Sequence, residues 1–204
     1  KLLGFKTFAD WSLSNTMAQK PEKTLDLMMS VWTPAVEKVH SDVAEMQKMV
    51  EAEGKKFQIE AWDYRYYSEK VRKAKYDLDQ NDLKPYLQLE KLREGMFWVA
   101  GEIFNLGFRQ VTNVPVFHPD VRVWEVFNKN TKKVVGVWYF DPYARKGKRS
   151  GAWMNATREQ SRVDGDVITL VSNNCNFIKG KEGEPILISW DDASTLFHEF
   201  GHAL

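Results

Sequence analysis

Apolar residues in the first hundred positions recur every three or four residues, the period of helices that turn one face to a core. Trp32, Val36, Val39, Val43, Met46 and Val50 form one such stripe. Thr33-Pro34 starts or kinks this helix, because proline suits a first turn and disfavours an interior. A polar break follows, LDQNDLKP at 78–85, and Leu89, Leu92, Met96, Val99, Ile103 and Leu106 then repeat the stripe. Between the two stripes, residues 60–79 mix aromatic and charged side chains at helical spacing. All three stretches read as helical core against a neighbouring helix.

The period changes at Gly107. VRVWEVF at 121–127 and KVVGVWYF at 133–140 are β-branched and aromatic, and the turn-forming NKNTK between them predicts a hairpin. GAWM at 151–154 and DVITLVSNNCNF at 166–177 predict two more strands. After GKEGEP, Ser189 and Asp192 form an S-x-x-D capping box before a last apolar helix. The order predicts an α+β chain, mostly α-helical, with long helices followed by a small β-sheet and a closing helix. The expected division is a helical region over 1–106 and a sheet with its helix over 107–204.

Composition narrows the partners. With 43% apolar residues, eight Trp and twelve Phe, the chain has the material for a packed core. Its 29 basic and 28 acidic residues leave a net charge of +1, which gives no electrostatic reason to expect nucleic acid or an anionic membrane. The basic run ARKGKRS at 144–150 reads as a solvated loop. No apolar run approaches the ~18 residues of a membrane span, and Lys1 opens no signal-like segment, so a cytoplasmic location is the expectation. The single cysteine, Cys175, excludes an internal disulfide and reads as a half-buried strand residue.

The closing stretch SWDDASTLFHEFGHAL carries the chemistry. His198, Glu199 and His202 spell H-E-x-x-H. Histidines four apart project from one helical face, one turn apart, which suits two cis positions of a tetrahedral zinc. Glu199 lies about 100° round the helix, beside the metal, where it can take a proton from the attacking water. Gly201 allows another element to approach closely. A catalytic zinc takes three protein ligands, yet only two residues follow His202. His118, before Pro119, suits a turn, and His40 reads as a partly exposed helix residue. With this motif the third ligand usually comes from downstream. The zinc site is therefore expected to be incomplete, its third ligand absent from the chain. Leu196, Phe197, Phe200 and Leu204 are expected to lack some of their packing partners. The chain has no initiator Met and stops inside a helix, so both ends look cut.

TLFHEFGHAL resembles the thimet oligopeptidase family of zinc metallopeptidases. LLGF (2–5), MAQKPE (17–22), WDYRYYSEKVRKAKYDLD (62–79), VPVFHPDVRVWEV (114–126) and FDPYARKGKRSGAWM (140–154) resemble the family's blocks in the family's order, along all 204 residues. SNNCNF leans towards the peptidyl-dipeptidase (dipeptidyl carboxypeptidase) branch. The resemblance implies a larger, mostly helical, zincin-like enzyme with a deep channel between two lobes, which cuts short peptides and releases C-terminal dipeptides. The alternatives are an oligopeptidase A-like endopeptidase and an inert fragment. It matches His198 and His202 to the family's first two zinc ligands and Glu199 to its general base. The family's third ligand, a Glu on a later helix, has no counterpart here, nor do the later Tyr and His that contact substrate. The chain looks like a middle piece, with short peptides and the missing C-terminal part of the enzyme as its partners. SGAWM carries a further expectation, since peptidases of this type commonly bind substrate as an added strand. Ser150, Gly151 and Ala152 are small enough to admit a peptide backbone, and Trp153 would anchor the strand in the core. A tight strand bend with a core Trp fits the same residues, and the sequence leaves both open.

Overall fold

A computed structural model describes residues 2–77, 79–163, 165–181 and 183–204 of an α+β chain. Lys1, Leu78 of the polar break and Glu182 of GKEGEP lie outside the described residues. Packing divides the chain into two compact units, Lys1–Leu78 and Asp79–Leu204.

The first unit holds α1 (Phe8–Leu13), α2 (Pro21–Ala52) and α3 (Tyr64–Tyr76). α2 starts at Pro21, in the first turn where a missing N–H costs nothing, and continues through Pro34. Thr33-Pro34 therefore does not start the helix; a 32-residue helix absorbs one lost hydrogen bond. The α2 stripe is core only at its end, where Met46 and Val50 pack on Tyr67 of α3. Trp32 and Val39 are exposed.

The second unit opens with a short α4 (Gln80–Leu83) and then α5 (Leu89–Phe104). The buried face of α5 is Leu89, Met96, Ala100 and Gly101, flanked by Leu92 and Phe97. Val99 and Ile103, expected in the core, are exposed. The helix faces the sheet, with the Phe97 ring stacked on Phe108 at 4.1 Å and the small Ala100 and Gly101 buried beside it. Asn105, at φ 57, ends α5, and Leu106 opens a strand that the apolar pattern did not mark. This strand, β1 (Leu106–Val111), passes so close to its neighbour that a Cβ on Gly107 would lie 2.4 Å from the Phe127 ring.

The sheet continues with β2 (Arg122–Asn128), β3 (Val134–Tyr143), β4 (Trp153–Arg158) and β5 (Thr169–Phe177), in the order β1-β2-β3-β5-β4. The predicted β2–β3 hairpin is present. The chain then crosses to the far edge for β4 and returns, so β5 inserts parallel to β3 and antiparallel to β4. Trp138, Phe140, Val171, Cys175 and Phe177 face the core that α5 and the last helix, α6 (Trp190–Ala203), cover. Composition changes at 106/107, but the packing boundary falls at 78/79, because α5 buries its apolar face with the sheet. Among the described residues no helix is long and apolar enough to cross a membrane.

Candidate active site

α6 is held at its start before it presents any chemistry. The Ser189 hydroxyl accepts the Asp192 N–H at 3.0 Å, and the Asp192 carboxylate accepts the Ser189 N–H at 3.2 Å, which completes the predicted capping box. Just upstream, Leu89 N–H donates to Ile186 O and Ile188 N–H donates to Leu87 O, both at 2.9 Å. These bonds tie the lead-in of α6 to the start of α5. The inner face of α6 is Ala193, Leu196 and Phe200. The Phe200 ring lies 5.4 Å from Trp138, 5.9 Å from Phe108 and 6.0 Å from Phe97. Leu196 and Phe200, expected to be short of partners, are thus buried in this unit's own core, because the sheet supplies the aromatic wall. Phe197 and Leu204 are exposed.

The outer face carries the motif. His198 and His202 are exposed, with Nε2 atoms 3.0 Å apart and rings at 86° to each other. Two nitrogens bound at ~2.0–2.1 Å to one tetrahedral ion would sit roughly 3.3 Å apart. The pair fits two positions on one zinc with a small adjustment. Glu199 lies between this face and the core, only 9% exposed. Gly201 is open rather than crowded, for a Cβ there would meet nothing within 4 Å. That open space leaves room for the close approach a glycine allows, and no other described element fills it. Among the described residues no three His, Cys, Asp or Glu side chains gather as a metal cluster. His118 accepts the Asp120 N–H through Nδ1 at 3.2 Å, a turn contact, and His40 is exposed on α2.

Behind α6, β5 buries polar groups among apolar ones. Asn173 is fully buried, accepts the Trp138 indole N–H at 2.5 Å, and donates its amide to the backbone carbonyl of Glu199. Cys175 is buried, not half-buried; desolvation pushes its thiol up to about 12, with Lys148 opposing and the negative charge of Glu199 adding.

At the sheet edge, Gly151 sits at φ +83, a conformation that calls for glycine whatever else the position does. Ala152 is the residue before β4 rather than part of it, and it packs on the core with Met154. Trp153 does not anchor the core, since strand residues alternate in direction. It lies under the Arg149 guanidinium at 4.6 Å and lines a hollow with Phe117 and Tyr139. β4 is an outer strand, paired with β5 alone among the described residues, and α6 packs beside it.

The basic run at 144–150 is not wholly solvated. Arg145 makes a two-pronged pair with the buried Asp141 carboxylate, at 2.6 and 2.9 Å. The Lys148 side chain is 2% exposed, 3.1 Å from the same carboxylate, and donates to the carbonyls of Asp141 and Tyr143 at 2.9 Å. Burial pulls the Lys148 ammonium below its ordinary range, and Asp141 opposes that shift.

Residues 1–204 match peptidase family M3. The chain belongs to that family. It is 42% identical to dipeptidyl carboxypeptidase of Salmonella typhimurium, 41% to dipeptidyl carboxypeptidase of Escherichia coli and 36% to oligopeptidase A of Salmonella typhimurium. Each match covers 100% of this chain and 30% of the relative, so the M3 chain spans about a third of their length.

In this M3 chain the structure brings His198, Glu199 and His202 onto one stretch of α6, with Gly151 and Ala152 at the head of the neighbouring strand. Sequence reasoning missed the Asn173 link and the buried Asp141–Lys148 pair. The signal for the first was present in SNNCNF, since asparagine at an inward strand position must find amide partners. Nothing in the local sequence distinguishes Lys148 from the solvated lysines around it.

Proposed function

We propose that this chain contributes His198, Glu199 and His202 to the active site of a zinc-dependent peptidase that releases dipeptides from the C-termini of short peptides. The observation that carries the reading is the 3.0 Å approach of two imidazole Nε2 atoms on the solvent face of a helix whose other face is buried. His198 and His202 would hold the metal through these nitrogens. Bound there, zinc supplies Lewis-acid polarisation of a peptide carbonyl and makes water more acidic. Glu199 takes the proton from the attacking water at its carboxylate and returns it to the amine that leaves, so no free proton need pass through solvent. Its near-complete burial excludes bulk water on one side of the carboxylate. The free edge of β4 supports a substrate laid alongside it as an added strand, with Gly151 and Ala152 leaving room at its head.

Identities of 42% and 41% to proteins named dipeptidyl carboxypeptidase, against 36% to oligopeptidase A, favour dipeptide release over internal cleavage. The test uses the whole zinc-loaded protein on a pair of peptides, one with a free C-terminal carboxylate and one amidated. The expected product is the C-terminal dipeptide from the free acid alone, with activity abolished in Glu199→Gln. Internal cleavage of both peptides would replace this reading with the endopeptidase one. Full activity in Glu199→Gln would remove the base.

A further inference from the structure

Three asparagines on β5 use their side-chain amides on the backbone of two segments of the site. Asn173 faces the helices and donates to the carbonyl of Glu199, in the middle of the motif. Asn174 donates to the Trp153 carbonyl at 3.3 Å and to the Ser172 hydroxyl at 3.2 Å. Asn176 donates to the carbonyls of Arg149 and Gly151 at 2.8 and 2.7 Å. We infer that β5 works as a ruler: Asn173 fixes the motif helix, Asn174 and Asn176 fix residues 149–153, and the strand's register sets the offset between them. All three are positioning residues. The catalytic half of the inference rests on the peptidase reading above.

The chemistry of the Asn173 link admits one orientation. An indole N–H can only donate and a backbone carbonyl can only accept, so the amide oxygen must face Trp138 and the nitrogen must face Glu199. Aspartate has the same shape but no donor, and it would set an oxygen against the Glu199 carbonyl. At the other end, Gly151 has no atom within 4 Å of where a Cβ would stand, so close packing does not hold this turn. The Asn176 amide spans the turn, bonding the carbonyls on either side of Ser150. Successive strand residues point to opposite faces, and this alternation lets one strand hold both a covering helix and an edge segment. A substrate lying along β4 must meet Glu199 to within a fraction of an ångström, and a misplacement of ~1 Å can cost on the order of 100-fold in rate.

The experiment follows amide hydrogen exchange and steady-state kinetics in the whole zinc-loaded protein, for Asn173→Asp and Asn176→Ala. Asn173→Asp should speed exchange in α6 and not in residues 149–153, and kcat should fall about 10- to 100-fold. Its KM should stay within about twofold, since the substrate edge is untouched. Asn176→Ala should speed exchange in 149–153 alone and raise KM several-fold, with kcat within about twofold. General loosening of the fold would move both segments in both variants, and that result overturns the ruler. So does unchanged α6 exchange in Asn173→Asp. If Asn173→Asp does not fold, Asn173→Leu keeps the approximate side-chain volume without a donor and should give the same α6-restricted increase; no increase overturns the inference. If the unaltered protein hydrolyses no peptide, the exchange results still decide the ruler, and only the peptidase reading falls.

Discussion

His198 and His202 hold their Nε2 atoms 3.0 Å apart on the solvent side of α6, while Leu196 and Phe200 of the same helix are buried in the core. The pair is therefore displayed by a helix that does not depend on it. His198→Ala or His202→Ala should abolish stoichiometric zinc in the whole protein, yet alter folding stability in the metal-free state by no more than about 0.5 kcal/mol, the usual range for exposed positions. Elemental analysis and denaturant titration measure the two quantities. Zinc near one per molecule in both variants would exclude these residues as ligands.

Substrate pairing with the sheet can be read without disturbing it. β4 and β1 are the two outer strands, and Gly151 and Ala152 lie at the head of β4 alone. A saturating peptide on the inactive Glu199→Gln protein should slow amide exchange in β4, because its outward N–H groups gain acceptors. β1 should be unaffected and serves as the internal control. Equal protection of both edges, or of neither, would remove the added-strand model.

Why the sequence revealed the motif and less of its support follows from the range of each signal. H-E-x-x-H and the Ser189–Asp192 box are local, with ligand spacing and cap spacing both set by one helical turn. The β2–β3 hairpin was legible for the same reason, as two apolar runs with a turn between them. The insertion of β5 between β3 and β4 is a long-range pairing with no local mark. β1 was hidden because RQ in LGFRQV breaks the apolar run on an outer strand. In α5 the stripe was right in period but turned in phase, since Ala100 and Gly101 meet the sheet and outrank Val99 and Ile103. Lys148 looked like its solvated neighbours, and only the fold brings it to Asp141.

That buried pair makes a stability prediction. Asp141→Asn would leave the Lys148 ammonium, 2% exposed, without its counter-charge, and would set an amide donor near the Arg145 guanidinium. Removing one partner of a buried ion pair costs about 3–5 kcal/mol. Denaturant unfolding should show a loss of that size, and Lys148→Met in the same background should recover part of it by removing the orphaned charge. A loss below about 1 kcal/mol would mean that water reaches the pair.

The first unit should respond to acid through Glu53. Its carboxylate bonds Lys55 at 2.7 Å, pairs with Lys70, and accepts the Tyr67 hydroxyl at 3.1 Å. The hydrogen bond from Lys55, then that from Lys70, lowers the Glu53 pKa from 4.5 to about 2. A carboxyl whose folded pKa is depressed stabilises the fold above its unfolded value, and that contribution disappears as pH falls through the folded one. The contribution should be complete above about 4.5 and should fade towards 2. Tyr67 packs on Met46 and Val50, so protonating Glu53 should loosen the α2–α3 contact in that window. Glu53→Gln keeps the shape and removes the titration. The two proteins should differ in denaturant stability at pH 6, with the difference shrinking steadily as pH drops below 4.5. Carbon-detected NMR of the Glu53 carboxyl gives the midpoint directly. A midpoint near 4.5, or a stability difference that does not depend on pH, would show that the three partners do not hold the charge in solution.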